Sequence, residues 1–245
     1  MLHSTKGIVL RTVKYGETSV IVLIFTEKLG VQSYLINGVR ASSRKGAGKA
    51  NLFQPAALLD LVVYQNERKQ LNRIREFKWA HIYTNIFSDV PKNAVSLFMV
   101  ELLTKCLKQP EPNNQLFQFC EDAFIHLDES SLPVMANFSL YFALHLSSLL
   151  GFQIHDSYSS KKRYLDLREG AFAAEQPEHP DFMEDRYGEL TSDLLKVMQP
   201  AELEQIKLSH ETRRRLLQAY EVFFALHVPE FGRMKTLPVL REVLG

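Results

Sequence analysis

The first 80 residues alternate apolar and polar positions on a period of two. Ile8, Leu10 and Thr12 interleave with Val9, Arg11 and Val13, and Lys14, Tyr15, Gly16 and Glu17 then supply turn chemistry. Residues 18–26 (TSVIVLIFT) are almost wholly apolar and β-branched, as in a strand buried on both faces. A second turn at Glu27, Lys28, Leu29 and Gly30 leads into a third strand over 31–39. Two more strands are predicted over 56–64 (AALLDLVVY) and 71–77 (LNRIREF). In the last, Leu71, Arg73 and Arg75 fall on one face and Asn72, Ile74 and Glu76 on the other. Five short strands broken by regular turn signals predict a small closed or partly closed barrel, because closure removes the open edges such apolar strands would present. Five is the strand count of an OB-fold; SH3-like barrels have similar counts.

From about residue 81 the period becomes helical. Residues 91–107 place Val95, Phe98, Leu102 and Cys106 on one stripe, with Pro91 suited to a first turn. A second helix over 116–127 aligns Phe117, Cys120, Phe124 and Leu127. Residues 133–150 are apolar almost all round, which predicts the central buried helix, ended by a left-handed turn at Gly151 with Phe152 packing behind it. The stretch 153–188 is the least regular, with a short hairpin in LDLREGAFA followed by the acidic, proline-bearing EQPEHPDFMEDRYG. Helices resume over 191–198 and 209–226, where Ser209 and Thr212 are alternative caps, and the tail 231–245 suggests a last short turn of helix. The expected architecture is α+β and multi-domain: a five-stranded barrel over 1–80, then a mainly α-helical domain over 81–245 with a hairpin-containing insertion at about 153–188.

Composition is that of a globular protein, with 46% hydrophobic and 23% charged residues. No apolar run is expected to reach about 18 residues without charge, which argues against a membrane span and a membrane partner. The beginning lacks a secretory pattern, and Cys106 and Cys120 alone cannot build a disulfide framework, which together suggest a reducing cytoplasm.

Charge adds more. The formal net charge of +1 conceals 13 Lys+Arg against 5 Asp+Glu in residues 1–80, a balance of +8, and 16 against 23 in 81–245, a balance of −7. A cationic barrel joined to an acidic helical half suggests a polyanion-binding module and a separate partner-docking module.

The best candidate for contact with a polyanion is the run RASSRKGAGK, where Arg40, Arg44, Lys45 and Lys49 share a loop with glycines and serines. Glycine lets backbone follow a phosphate chain closely, and Lys and Arg neutralise it with release of counterions. Arg73 and Arg75 on one strand face, placed beside Arg11, would extend one positive track; Arg68, Lys69 and Lys78 add cations nearby. Tyr15, Tyr34, Phe53 and Phe77 are candidates for stacking on unpaired bases, Phe53 because it directly follows the basic loop. Arg213, Arg214 and Arg215 open the last long helix and suit a partner-binding face, although successive helical residues point about 100° apart, so at most two can serve one surface.

Catalysis has no such support. Gly46 and Gly48 precede Lys49, but Ala50 follows, so no P-loop forms. No GxSxG, HExxH or paired-cysteine motif is present, and Cys106, Cys120 and His145 read as core residues. No catalytic residue, metal or cofactor is expected, and the chain reads as a non-enzyme. A protein-interaction adaptor with only incidental DNA contact is the alternative.

The order of features resembles the RecO family of DNA repair and recombination mediator proteins. The resemblance rests on Tyr15, Glu17, Thr18 and Ser19, on Phe25-Thr26, Gly30, Gly38, Arg40 and Gln54-Pro55, on Glu101-Leu102-Leu103, and on the helix ending at Gly151-Phe152. It implies an N-terminal OB-fold, a helical C-terminal domain, binding of single- and double-stranded DNA, annealing of complementary strands, and help in loading the recombinase RecA. Implied partners are RecR and the acidic C-terminal tail of single-strand-binding protein. In one respect the chain departs from the family: many members carry a four-cysteine zinc module after the central helix, whereas 155–188 contains no cysteine.

Overall fold

The structure, a computed structural model, describes residues 1–39, 51–66, 71–108 and 110–244. The chain divides into two compact units, Met1–Thr84 with Leu103–Ile125, and Asn85–Leu102 with His126–Gly245.

In the first unit, β1 (Leu2–Tyr15), β2 (Ser19–Thr26), β3 (Gly30–Ile36), β4 (Leu58–Tyr64) and β5 (Asn72–Trp79) close a barrel in the order β1-β2-β3-β5-β4. The five-stranded barrel expected from the alternation, an OB-fold as the resemblance implies, is therefore present, with β3 and β5 parallel and the other pairs antiparallel. The long β1 serves two neighbours, its first half pairing with β4 and its second with β2. An extra residue at Leu10 bends it between the two. Val9, Val22, Ile24, Tyr34, Leu59, Leu61 and Val63 fill the interior.

A second bulge corrects the face assignment in β5. Val63 pairs with Ile74 and Val62 with Glu76, leaving Arg75 as the extra residue. Asn72 and Ile74 point inward as expected, but the bulge turns Glu76 outward, where its carboxylate meets the Arg75 guanidinium at 3.1 Å. Period-two reading cannot anticipate a bulge, because an inserted residue leaves no mark in the alternation.

The segment Leu103–Ile125 packs on the barrel. Phe117 meets Phe25 edge to face at a centroid distance of 5.4 Å, and the Lys6 ammonium donates to Glu121 at 2.6 Å. Cys120 is buried here, which raises its thiol pKa and makes it a packing residue rather than a nucleophile. Burial pushes Cys106 up to about 12.

Helices α1 (Val90–Cys106) and α2 (Asn114–Glu129) each contribute residues to both units. The second unit is built around α3 (Leu132–Leu149), followed by β6 (Tyr164–Asp166), β7 (Ala171–Ala173), β8 (Phe182–Met183), α4 (Asp185–Leu195), a 3-10 helix Pro200–Gln205, α5 (His210–His227) and α6 (Thr236–Val243). The predicted hairpin is the β6–β7 pair, joined by β8 on the other side of β6.

The central helix requires a correction to the hydropathy reading. α3 has 18 residues, none of them Asp, Glu, Lys or Arg, with a mean hydropathy of 1.2, and by length and composition it could cross a membrane. Two thirds of it, 67%, is buried inside the protein, as in the core helix of a globular unit. Several of its polar groups find partners there: Asn137 donates to the Ile206 carbonyl at 2.7 Å, and His145 Nε2 lies 2.9 Å from the Val197 carbonyl. Burial lowers the His145 pKa, keeping the ring neutral. The helix ends in a left-handed turn at Gly151 (φ 86°), with the Phe152 amide reaching back to the Ser147 carbonyl and the Phe152 ring packed among Phe223, Phe224 and His227.

α4 starts at Asp185 rather than near 191, inside the stretch expected to be irregular. Gly188, a helix breaker by propensity, is tolerated because a Cβ there would lie 2.9 Å from the Arg163 carbonyl, so close packing overrides propensity. α5 starts where the capping chemistry places it, with Ser209 Oγ accepting from the Thr212 amide at 3.2 Å.

Candidate nucleic-acid interface

The barrel's ladder registers place specific side chains in rows across its outer surface. Directly paired residues share a face, so Val13, Ile21, Leu35, Arg73 and Tyr64 form one row running from β1 through β2, β3 and β5 to β4. Leu2 continues it, pairing with Tyr64 across the closure. The adjacent row holds Arg11, Leu23 and Ser33, and Tyr15 pairs with Ser19 beyond Val13.

This surface is apolar and aromatic and carries two arginines, Arg11 and Arg73. Ile21, Leu23 and Leu35 are half-buried; Tyr15 is 53% and Tyr64 51% exposed. Arg11 and Arg73 are exposed, with β2 and β3 between them, so they bracket the apolar strip rather than standing side by side. These rows contain no carboxylate.

A second outer surface, over the first half of β1, β4 and the end of β5, is also rich in charge. Here Lys6 pairs with Asp60 and Asp60 with Lys78 along the ladder. The Lys78 ammonium lies 3.5 Å from the Asp60 carboxylate, Lys6 is bound by Glu121, and Arg75 by Glu76. A shallow cleft of about 800 Å³ follows this surface, edged also by Glu27 and Lys28. The Glu121 hydrogen bond is the main cause of a raised Lys6 pKa.

The remaining sequence candidates sort as follows. Arg40, Arg44, Lys45 and Lys49 lie outside the described residues, as do Arg68 and Lys69. Their flanks are described: β3 ends at Ile36, which pairs with Val20, and the Asn37 side chain accepts from Ser19 at 3.0 Å. The chain resumes at Asn51–Phe53, where the Thr12 hydroxyl donates to the Phe53 carbonyl. The segment 67–70 departs just after Tyr64 and returns just before Asn72. The flanks of 40–50 thus lie beside Thr12 and Ser19, near Val13 and Tyr15, whereas those of 67–70 lie at the end of β4 and the start of β5, near Tyr64.

Of the stacking candidates, only Tyr15 offers an open ring. Phe53 is 1% exposed and edge-on to Phe77 at 4.8 Å, and Tyr34 points into the barrel, where burial raises its pKa. Phe53 is fixed by its role as the anchor that returns the chain to β1, which the sequence did not reveal. Tyr64, Val13, Ile21 and Leu35 escaped the sequence reading because each alternates correctly for a barrel strand. Only the register shows that their outward faces coincide.

In the second unit the arginine triplet separates. Arg213 donates to the Leu208 carbonyl at 2.8 Å and lies 2.9 Å from His210 Nδ1, and burial lowers its pKa. Arg214 and Arg215 approach Glu211 at 3.8 and 3.2 Å, and the Arg215 guanidinium sits over the Tyr187 ring at 5.7 Å. Arg213 and Arg214 line a cavity of about 1000 Å³ between α5 and α6, together with Arg233, Arg241, Leu217 and Leu237. The Glu101 carboxylate fixes the start of α6 by accepting from the Lys235 and Thr236 amides at 2.8 Å each.

Among the described residues no group of three or more His, Cys, Asp or Glu is placed to hold a metal ion. In the cysteine-free stretch 155–188, Asp166 lies 3.1 Å from His179 and Arg168 2.8 Å from Asp181.

The family model for Recombination protein O N terminal matches residues 1–83, and that for Recombination protein O C terminal matches residues 88–237. DNA repair protein RecO of Bacteroides fragilis is 32% identical over 246 residues, covering 99% of each chain. The RecO proteins of Phocaeicola vulgatus and Flavobacterium johnsoniae are 30% and 29% identical, each over the full length of both chains. An OB-type barrel with an arginine-edged outer face, a helical second unit and end-to-end similarity of this kind lead to one conclusion: the chain belongs to the RecO family of DNA repair proteins.

Proposed function

We propose that this chain is a non-catalytic mediator of DNA repair and homologous recombination. It binds single- and double-stranded DNA, anneals complementary strands, and helps load RecA onto strands coated by single-strand-binding protein, with RecR as a partner. The observation that carries this reading is the pair of outer barrel rows that hold Arg11 and Arg73 and no carboxylate. Phosphate contacts from Arg11, Arg40, Arg44, Lys45, Lys49, Arg73 and Arg75 supply affinity that is independent of sequence. Arg75 contributes least, because Glu76 already engages it.

Neutralising about four to six phosphates gives a slope of about −3 to −4 for log affinity against log salt on a single strand. Replacing Arg40, Arg44, Lys45 and Lys49 together by alanine should weaken binding to all sequences and flatten that slope, read by fluorescence anisotropy. Unchanged affinity and slope would remove the loop from the interface.

A second, compatible reading concerns partner docking. The cavity between α5 and α6 pairs an apolar wall with Arg213, Arg214, Arg233 and Arg241, a chemistry suited to an acidic peptide with apolar side chains such as the tail of single-strand-binding protein. Titrating that peptide into the full chain should give saturable binding that Arg214→Glu abolishes. Equal binding by the variant would place the tail elsewhere.

A further inference from the structure

The outer barrel rows that hold Arg11 and Arg73 have a property that phosphate binding does not require. Among the described residues, five of the twelve exposed large hydrophobic side chains, Met1, Leu2, Val13, Tyr15 and Tyr64, lie in these rows or next to them. Scattered exposed apolar residues are ordinary, but a cluster of this kind marks a contact surface. Neither the Tyr15 nor the Tyr64 ring packs against another ring among the described residues, so both faces are open to a ligand.

We propose that Tyr15 and Tyr64, with the Ile21–Leu23–Leu35 strip between them, form a stacking platform for unpaired bases that makes the barrel select single strands over duplex. This rests on the reading of the barrel as the DNA-binding module and deepens it. A duplex turns its base faces inward and its phosphates outward, so it would set hydrated phosphate against apolar side chains. An unpaired strand can lay base faces on the strip and tyrosine rings while its phosphates reach Arg11 beside the row and Arg73 within it. The row from Val13 to Tyr64 crosses four inter-strand steps, roughly 19 Å of arc at about 4.8 Å each, enough for more than one base. Charge complementarity favours nucleic acid over a protein occupant, because Arg11 and Arg73 face outward and no carboxylate in these rows answers them.

Anisotropy with a labelled oligothymidine and a labelled blunt hairpin, using the full chain, tests this. Alanine at both Tyr15 and Tyr64 should lower single-strand affinity by roughly tenfold or more and duplex affinity by less than about twofold, with the salt slope unchanged. Phenylalanine at both positions should restore single-strand affinity, since stacking needs the ring and not the hydroxyl. Equal losses for both DNAs, or no loss for either, would overturn the platform. The four-alanine loop variant separates the two failures. If it weakens binding while the tyrosine variant does not, the DNA-binding reading stands and only the platform falls; if neither weakens it, both fall. Reduced binding of RecR or of a second copy by the tyrosine variant, with unchanged single-strand affinity, would assign the strip to a protein and equally overturn the proposal.

Discussion

Two outer faces of one barrel carry similar numbers of cations and opposite prospects. On the face over β4 and the end of β5, Lys6, Arg75 and Lys78 each meet a carboxylate, from Glu121, Glu76 and Asp60. On the face over β2 and β3, Arg11 and Arg73 flank an apolar, aromatic strip that contains no acid. A polyanion approaching the first face must displace or face those carboxylates; at the second, Arg11 and Arg73 meet no carboxylate among the described residues. The excess of +8 in residues 1–80 is therefore a weaker guide than the position of the few acids.

The comparison predicts that charge reversal is asymmetric. Arg73→Glu should lower single-strand affinity by at least tenfold, because it removes a phosphate contact and puts an acid beside the strip, whereas Lys78→Glu should change it by less than about twofold. Anisotropy at a fixed salt concentration near 0.1 M reads both. Similar losses would erase the distinction between the faces.

The opposite manipulation sharpens it. Asp60→Asn with Glu76→Gln frees Lys78 and Arg75 from their partners without adding a cation. A gain of a few-fold in affinity, with a steeper salt slope, is expected if the acids are what keep this face from binding DNA. No change would mean that its geometry, rather than its charge pairing, keeps DNA away.

The smallest effect concerns stability. Glu121→Gln loses the hydrogen-bonded pair with Lys6, whose side chain is 43% exposed, so solvent screening limits the loss to about 1 kcal/mol or less in a urea melt. The Lys6 pKa is raised in the folded state, chiefly by the Glu121 hydrogen bond. The contribution is therefore complete below the unfolded value near 10.5 and fades only as pH rises through the folded value. The variant and the parent should thus differ equally at pH 7 and pH 9. A difference that shrinks between those values would contradict the assignment.

Much of the barrel was legible in the sequence, because alternating β-branched residues and turn signals bound each strand within a few positions. The bulges were not. One inserted residue at Arg75 moved Glu76 from the interior to an ion pair, and no local pattern announces that. Association of Leu103–Ile125 with the barrel unit also escaped, since it rests on long-range contacts such as Phe25 with Phe117. The candidate site was half legible. Arg11, Arg73 and Tyr15 were singled out by type, whereas Phe53 and Tyr34 proved to be core residues. Tyr64 became visible only when the β4–β5 and β1–β4 registers placed it beside Arg73 and Leu2.

Photocrosslinking tests the distinction between the faces most directly. A single strand substituted with 5-iodouracil, irradiated in complex with the full chain and digested, reports which aromatic side chains touch bases. The account predicts cross-links at Tyr15 and Tyr64. Cross-links confined to Phe77 or to the strand segments bearing Lys6, Asp60 and Lys78, with none at either tyrosine, would contradict it.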